Sequence, residues 1–436
     1  MKYLFGVLSL FLSLIAYGAE PIYITKGNTQ AIPIAINNFK FNNSGEETFA
    51  TQIVSIIEND LNHSGLFRSI NKAAFIENSV GYKVSPNFSS WKTINANFLV
   101  NGSIEKKSGN KLIIKIALWD IYNQKNILVA EYEARYDDLR KLSHKISDQV
   151  FENITGEKGY FDTKIVYVSE SGSDKKKIKR IAIMDYDGFN HKYITDGRKL
   201  VLTPRLSPKK DKMLYLSYEG KVPKVTLHDL RNGKKVILGS FAGMSFAPRF
   251  SPIHDKALIS ISKNGNTDIY EVDLHAKTLK RLTNGNCINT SASYSPDAKE
   301  ILFNSDRDGS RQLYTMDING GNIKRISGND GNYYSPVWSP RGDYIAFTKI
   351  SGDLGFAIGV MKTNGSDERI LTNGYLVESP TWSPSGRYIL FTRQERQDKK
   401  GISKSRIYSI DLSGRNEQEI KTPMNASDPE WSSLLD

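Results

Sequence analysis

Trp338-Ser339-Pro340 and Trp382-Ser383-Pro384 are two copies of one phrase that the chain repeats at a fixed interval. Tyr294-Ser295-Pro296, Phe250-Ser251-Pro252 and Leu206-Ser207-Pro208 come before them, so that serines stand at 207, 251, 295, 339 and 383, an interval of 44. Trp431-Ser432 is a sixth copy, 49 residues beyond Ser383. A strand-rich unit with a period in the forties is the sequence signature of a β-propeller blade, here of the WD40-like type.

The unit after Ser295 shows the strands. Glu300-Ile301-Leu302-Phe303-Asn304-Ser305 is an apolar run of strand length, followed by the turn Asp306-Arg307-Asp308-Gly309. Gln312 to Asp317 is a second strand, Asn319-Gly320 a hairpin signal, and Asn322 to Ser327 a third. The strand ahead of Tyr294 makes four. An aspartate closes the equivalent strand at Asp185, Asp229, Asp273, Asp317 and Asp411, where it can bond the backbone of the next turn. Lys362 takes its place in one unit, which marks the aspartate as structural and replaceable.

Five copies, from Ser207 to Ser383, are each followed by three strands, and the sixth by none. Three orphan strands lie ahead of the first copy, around Ile165-Val168, Ile178-Ile183 and Lys192-Ile194. The strand around Trp431 can supply their innermost partner. This predicts a closed ring of six blades with both ends of the propeller in one blade, because closure removes the two open edges of a row.

The N-terminus reads as a secretory signal: Lys2, the apolar run Leu4 to Ile15, then Ala16-Tyr17-Gly18 with cleavage expected after Gly18. The run is too short to span a bilayer comfortably. Residues 19–32 alternate through Ile22 and Ile24. On that pattern alone an edge strand is favoured over an arm that adds to a partner. Residues 33–156 read as a small α/β domain. Ile34 and Ile36 mark a strand, and Ser44 with Glu47 a capping box ahead of a helix through Phe49, Ile53, Ile57 and Leu61. Strands follow at Phe98-Val100, Lys111-Trp119 and Val129-Tyr136, then a helix from Asp138 to Thr155 ended by Gly156. Residues 157–162 are a linker, and 163–436 the propeller. His144, one turn before Asp148, is expected to form a pair on the helix surface.

The net charge is +12, spread along the chain and densest at Lys175-Lys176-Lys177, which suggests a solvated surface or a weak attraction to acidic partners. Nucleic acid is not an expected partner. Cys287 is the single cysteine, so the chain has no internal disulfide. There is no Gly-x-Ser-x-Gly elbow, Walker loop or His-Glu-x-x-His, and the six histidines lack metal-ligand spacing. No catalytic, cofactor or metal residue is assigned.

The run from His144 through Asp148, Thr155-Gly156, Lys158-Gly159, Phe161 and Thr163 to Ile165-Val166-Tyr167-Val168 closely resembles the domain junction of the TolB family, periplasmic components of the Tol-Pal system in the Gram-negative envelope. The similarity covers the signal, the α/β domain, the junction and the repeats. It implies a non-enzymatic periplasmic scaffold that supports outer-membrane integrity and envelope invagination at cell division. It also implies a propeller that binds the lipoprotein Pal, and an N-terminal segment, here Glu20, Pro21, Ile22, Tyr23, Ile24 and Thr25, that binds the inner-membrane protein TolA. The alternation reading of residues 19–32 is thereby reversed in favour of a mobile arm. Outer-membrane lipoproteins or porins are further possible partners, and a monomer is expected. Met244 departs from the family, which often has a histidine there.

The loops entering the innermost strands surround one mouth of the channel. They hold Thr203, Met244, Ser245, Phe246, Asn289, Thr290, Ser291, Tyr333, Tyr334, Val377, Glu378 and Ser427. This mixture of anchors and short hydroxyls suits a protein interface, with plain turns as the alternative reading. The rival function is an exported propeller hydrolase or lyase acting on a glycan or peptide. It would need carboxylates converging at that mouth, where only Glu378 and Asp428 qualify.

Overall fold

A computed structural model describes residues 30–77, 81–172, 177–220, 222–240, 245–397 and 403–434. The expected signal, residues Glu20 to Thr25 of the arm, Lys175, Lys176 and Met244 lie outside the described residues, as do the side chains of Ser245 and Phe246.

The first part of the chain forms β1 (Ile32–Ile36), α1 (Ser44–His63), β2 (Phe67–Ser69), α2 (Phe88–Thr93), β3 (Phe98–Lys107), β4 (Lys111–Asp120), β5 (Lys125–Arg135) and α3 (Leu139–Thr155). The strand order is β2-β1-β3-β4-β5. β1 runs parallel to β2 and β3, while β3, β4 and β5 form an antiparallel meander. Ile53, Ile57 and Leu61 of α1 meet Ile146 and Val150 of α3 over Ile34, Ile36, Ile114 and Ile116 of the sheet, which gives the two-layer core that the helical spacing predicts. Ile32 pairs with Phe67 as the first residue of β1. The ordered sheet therefore begins inside the stretch that the sequence reading gives to the arm.

Two local expectations are corrected. Ser44 and Glu47 make no capping box; α1 starts after Asn43 without a side-chain cap. Glu46 serves instead: its buried carboxylate accepts the amides of Asn42 (2.8 Å) and Lys106 (2.7 Å), tying the helix start to β3. His144 is not a surface residue paired with Asp148. It is buried, with Nδ1 2.8 Å from Asp60 Oδ2 of α1. Asp148 turns toward the junction and accepts the amides of Phe161 (2.7 Å) and Asp162 (3.0 Å). The reason lies outside the helix: the propeller covers the face that α3 would otherwise show to water.

Among the described residues the rest of the chain forms six four-stranded sheets. Their inner strands are Val201–Leu206, Ser245–Phe250, Asn289–Tyr294, Asn332–Trp338, Leu376–Trp382 and Asn425–Trp431. The last of these closes the ring as expected: it pairs with Lys164–Ser171, Trp431 opposite Ile165, ahead of Ile178–Asp185 and Lys192–Tyr193. The repeated phrase acquires a physical reason. Each serine is buried at a turn, and the hydroxyls of Ser207, Ser295 and Ser383 accept the amides of Lys212 (3.0 Å), Glu300 (3.0 Å) and Tyr388 (3.1 Å). The Trp382 indole donates to Val337 O (3.0 Å), stapling one blade to the next. Asp229, Asp273 and Asp411 accept amides of the following turns, as such aspartates should.

Residues 157–162, a linker by sequence, form a packed seam. Tyr160 and Phe161 are fully buried, and the Tyr160 ring lies 4.7 Å from that of Tyr388 and 5.6 Å from that of Trp431. The last carbonyls of α1 find partners on the propeller: His63 O accepts Asn416 Nδ2 (3.3 Å) and Gln418 Nε2 (3.2 Å), and Ser64 O accepts the Tyr388 hydroxyl. Arg387 pairs with Glu157 across the same line.

Candidate functional site

Each inner strand carries one extra residue near the channel mouth. The register slips between Thr290 and Ser293, between Tyr334 and Val337, between Glu378 and Thr381, and at the matching place in the other three strands. The extra residue adopts a left-handed backbone at Thr203 (φ 49°), Ser291 (56°), Ser335 (46°), Ser379 (57°) and Asp428 (50°). Such a conformation is uncommon for any residue with a Cβ and is most costly for β-branched Thr203. A bulge repeated around a ring re-aims the side chains of the rim, and bulges concentrate beside functional sites. The sequence carries a signal for it. Proline follows the bulged residue at 204, 248, 336, 380 and 429, and the residue before a proline is held out of the right-handed helical region.

The bulges bring the predicted rim residues to equivalent positions, but not equally to the surface. Thr203, Ser291, Tyr334, Glu378 and Ser427 are half-buried. Thr290 is nearly covered, with Oγ1 3.1 Å from Asn304 Oδ1. Tyr334 carries the Arg311 guanidinium over its ring (5.4 Å) and remains an accessible aromatic. Three others are interior. Asn289 donates to Thr267 O (3.1 Å) and accepts from Arg307 (3.0 Å), joining neighbouring blades. Val377 is packed in its blade. Tyr333 is fully buried, its hydroxyl 2.8 Å from Glu368 and 2.9 Å from Asp330, and Lys349 Nζ holds both carboxylates at 2.7 Å. These three shape the rim from behind; a partner cannot reach them.

The mouth is acidic on one side. Burial pushes the Glu378 carboxyl up, the charges of Asp428 and Glu170 push the same way, and Lys179 opposes them. Glu170 comes from Lys164–Ser171, the second strand of the composite blade in which the two ends of the propeller meet, and had no signal in the sequence; it accepts Ser427 Oγ (3.0 Å) and pairs with Lys179 (2.7 Å). Asp428 accepts Ser379 Oγ (3.1 Å). Glu378 and Asp428 thus sit on adjacent blades rather than facing each other across the channel, and Asp428 is held by its neighbour.

One further group has metal-like spacing. The ligand atoms of Asp60, His144 and Asp187 lie within 4.8 Å of one another. Both Asp60 oxygens are engaged, one by His144 and the other by the Tyr186 hydroxyl (2.6 Å), and Arg140 holds Asp187. These contacts make the group a latch across the seam between the α/β domain and the propeller. Among the described residues no helix is long and apolar enough to cross a membrane.

Comparison with known proteins agrees with both parts of this architecture. Residues 21–127 match the TolB amino-terminal domain, and residues 151–435 match the TolB β-propeller domain. The Tol-Pal system protein TolB of Rickettsia bellii (strain OSU 85-389) is 51% identical over 267 residues, 61% of this chain and 60% of that protein. The protein of the same name from Rickettsia prowazekii (strain Madrid E) is 50% identical over 262 residues, 60% of this chain and 59% of its own. The chain thus matches somewhat under two thirds of the length of these relatives. The crystal structure of TolB from Acinetobacter baumannii superposes with a TM-score of 0.82 at 28% identity, covering 93% of this chain and 97% of that one. With a small α/β domain docked on a closed six-bladed ring, and family matches to both, the chain belongs to the TolB family.

Proposed function

We propose that the chain is a non-enzymatic periplasmic scaffold of the Tol-Pal system. The observation that carries this reading is the 51% identity to a protein named for that system, over 267 residues, 61% of this chain. On this reading the bulged mouth receives the lipoprotein Pal, and residues 20–25 receive TolA. The pair of contacts supports outer-membrane integrity and invagination during division. Outer-membrane lipoproteins or porins are further candidate partners. The mouth suits a protein partner: half-buried hydroxyls at fixed height, one accessible aromatic in Tyr334, and an acidic sector at Glu378. Isothermal titration of the purified chain with the soluble domain of Pal tests it. Tyr334→Ala and Glu378→Arg, at half-buried rim positions, are expected to weaken binding while circular dichroism stays unchanged. Lys299→Glu, in a turn after a Ser-Pro phrase at the far end of its blade, is expected to leave it alone. Unchanged affinity in both mouth variants, with loss in the Lys299 variant, would place the interface at the opposite face.

The raised Glu378 carboxyl is the observation that favours the rival enzyme reading, since a general acid needs such a shift. Glu378→Gln separates the two: a scaffold keeps most of its affinity for Pal, whereas an enzyme loses turnover of any envelope glycan or peptide that it cleaves.

A further inference from the structure

The end of the channel opposite the bulges holds a second constellation. Two residues beyond each bulge the inner strands present Arg205, Arg249, Ser293, Val337, Thr381 and Glu430. All six line one cavity of about 430 Å³ that opens among the Ser-Pro turns. Its walls are otherwise prolines, serines, Leu206 and aromatic residues, so its charged lining is two guanidinium groups and one carboxylate. The local charge is unbalanced by one positive unit.

The single carboxylate is also overcommitted. Glu430 Oε2 accepts Thr381 Oγ1 at 3.1 Å, and lies 3.5 Å from Arg205 Nε and 3.6 Å from Arg249 Nη1. Both arginine distances exceed those of a charge-assisted hydrogen bond. Arg205 is 5% exposed; its Nη1 donates to Pro204 O (2.7 Å), while its buried Nε makes no hydrogen bond. On Arg249, burial and the neighbouring Arg205 press against the charge and only Glu430 supports it. Guanidinium forks present five donors each in a fixed plane, and buried charges are costly unless paired. Two forks left with spare donors in one cavity are the complement of an oxyanion.

We propose that this cavity binds a small solute carrying a carboxylate or phosphate group, held by Arg205 and Arg249 in competition with Glu430. The site is distinct from the bulged mouth proposed for Pal, and nothing in that reading requires it. Competition gives the proposal an unusual sign: Glu430 is an internal rival of the ligand, so removing its charge strengthens binding.

The experiment uses the full mature chain, titrated separately with inorganic phosphate and with citrate at constant ionic strength balanced by chloride. Three of the five tryptophans, Trp338, Trp382 and Trp431, line the cavity, so intrinsic fluorescence reports occupancy; calorimetry checks the affinity. A saturable response to either anion is expected; a response to phosphate alone marks a phosphate site, and to citrate alone a carboxylate site. Arg249→Gln is expected to weaken binding about tenfold or more, the loss of one charge-assisted contact. Arg249→Lys, which keeps the charge and loses the fork, falls between. Glu430→Gln is expected to tighten binding about tenfold, and it keeps the test decisive if the arginine variants fold poorly. Lack of a saturable response to both anions in the wild type and in the Glu430→Gln chain overturns the proposal. So does one common curve for all folded variants.

Discussion

Gly159→Ala should loosen the seam between the two domains far more than the loss of a glycine usually does. Gly159 has no unusual backbone angle; its constraint is space. A Cβ there would stand 2.1 Å from Asp148 Oδ1 and 2.6 Å from Asp148 Cα. The second atom is backbone of α3, so rotating the aspartate side chain cannot relieve the contact. Segment 157–162 must lift off the helix. Asp148 then loses the Phe161 and Asp162 amides, and Tyr160 and Phe161 lose their seats. Two half-buried hydrogen bonds to a carboxyl group, with the lost packing of two aromatic rings, are worth about 3–5 kcal/mol together. That corresponds to a fall in melting temperature on the order of 6–12 °C. Gly156→Ala is the internal control. Gly156 ends α3 with φ 73° and meets nothing within 4 Å, so alanine costs only its left-handed backbone, about 1 kcal/mol. Thermal unfolding followed by tryptophan fluorescence compares the two. A Gly159→Ala protein that melts within 2–3 °C of the wild type, roughly the control's expected shift, would show that the seam does not depend on this close approach.

Three further outcomes are expected. Deleting residues 428–436 removes most of the strand that closes the ring, with Trp431 and its bond to Thr163 (2.8 Å), and should abolish cooperative unfolding; a truncated chain that melts as sharply and as high as the whole would sink the closure argument. Deleting residues 20–29, which stops short of β1, should leave the melting temperature within about 2 °C and abolish capture of TolA on the proposed reading; early unfolding would make the segment part of the fold. The seam should weaken as pH rises from about 5 to 8. Burial pushes the Asp148 carboxyl up to about 7 against its two amide donors, and an acid whose pKa rises on folding favours the folded state at low pH and penalises it progressively from about pH 4 to 7. His144 acts with the same sign: burial lowers its pKa, Asp60 and Asp187 more than reverse this, and the stability it gives is present below about pH 6.5 and lost as pH climbs through the raised value. His63, which burial lowers, opposes them. Denaturant midpoints at pH 5.5 and 8.0 should therefore differ less in Asp148→Asn than in the wild type, and an equal difference would refute the assignment.

The repeat made the propeller legible because each blade must solve the same problem at the same place. A buried serine accepts the amide of the next strand, and an aspartate ends the third, so identical chemistry recurs every 44 residues and reads through the noise. Ring closure was legible by counting strands. Features set by contact between domains were not. His144 has the polarity and spacing of a surface residue on α3; only the arrival of Asp60 from α1 and Tyr186 from the propeller buries it. The capping role of Glu46 depends on the Lys106 amide, 60 positions away. At the mouth, the sequence located the loops but could not separate accessible from buried members. Tyr333 and Tyr334 are adjacent, and strand alternation sends one into a bonded network behind the rim and the other toward the Arg311 guanidinium in front. The recurrent proline was available as a signal for the bulge and carried more local information than the loop composition did.

A six-fold ring built from equivalent positions would be chemically uniform, so any directional chemistry must come from places where the repeat is broken. The composite blade is where this chain breaks it most. Its phrase arrives after 49 residues instead of 44, and it lacks the proline after Ser432. It supplies Glu430 where two other blades supply arginine, and Asp428 where four others supply serine or threonine and one alanine. Its second strand brings Glu170 to the mouth, while its inner strand ends on Trp431 against Tyr160 of the seam. One strand of seven residues, Asn425–Trp431, therefore touches the acidic mouth through Ser427 and Asp428, the arginine cavity through Glu430 and Trp431, and the domain junction through Trp431. A ligand at either end of the channel and a movement at the seam act on the same backbone. Because that strand also closes the ring, it can shift only as a paired unit with Lys164–Ser171, which leads directly out of the junction. If the proposed partners act on one another's binding at all, the composite blade is where their differential contacts have to be sought.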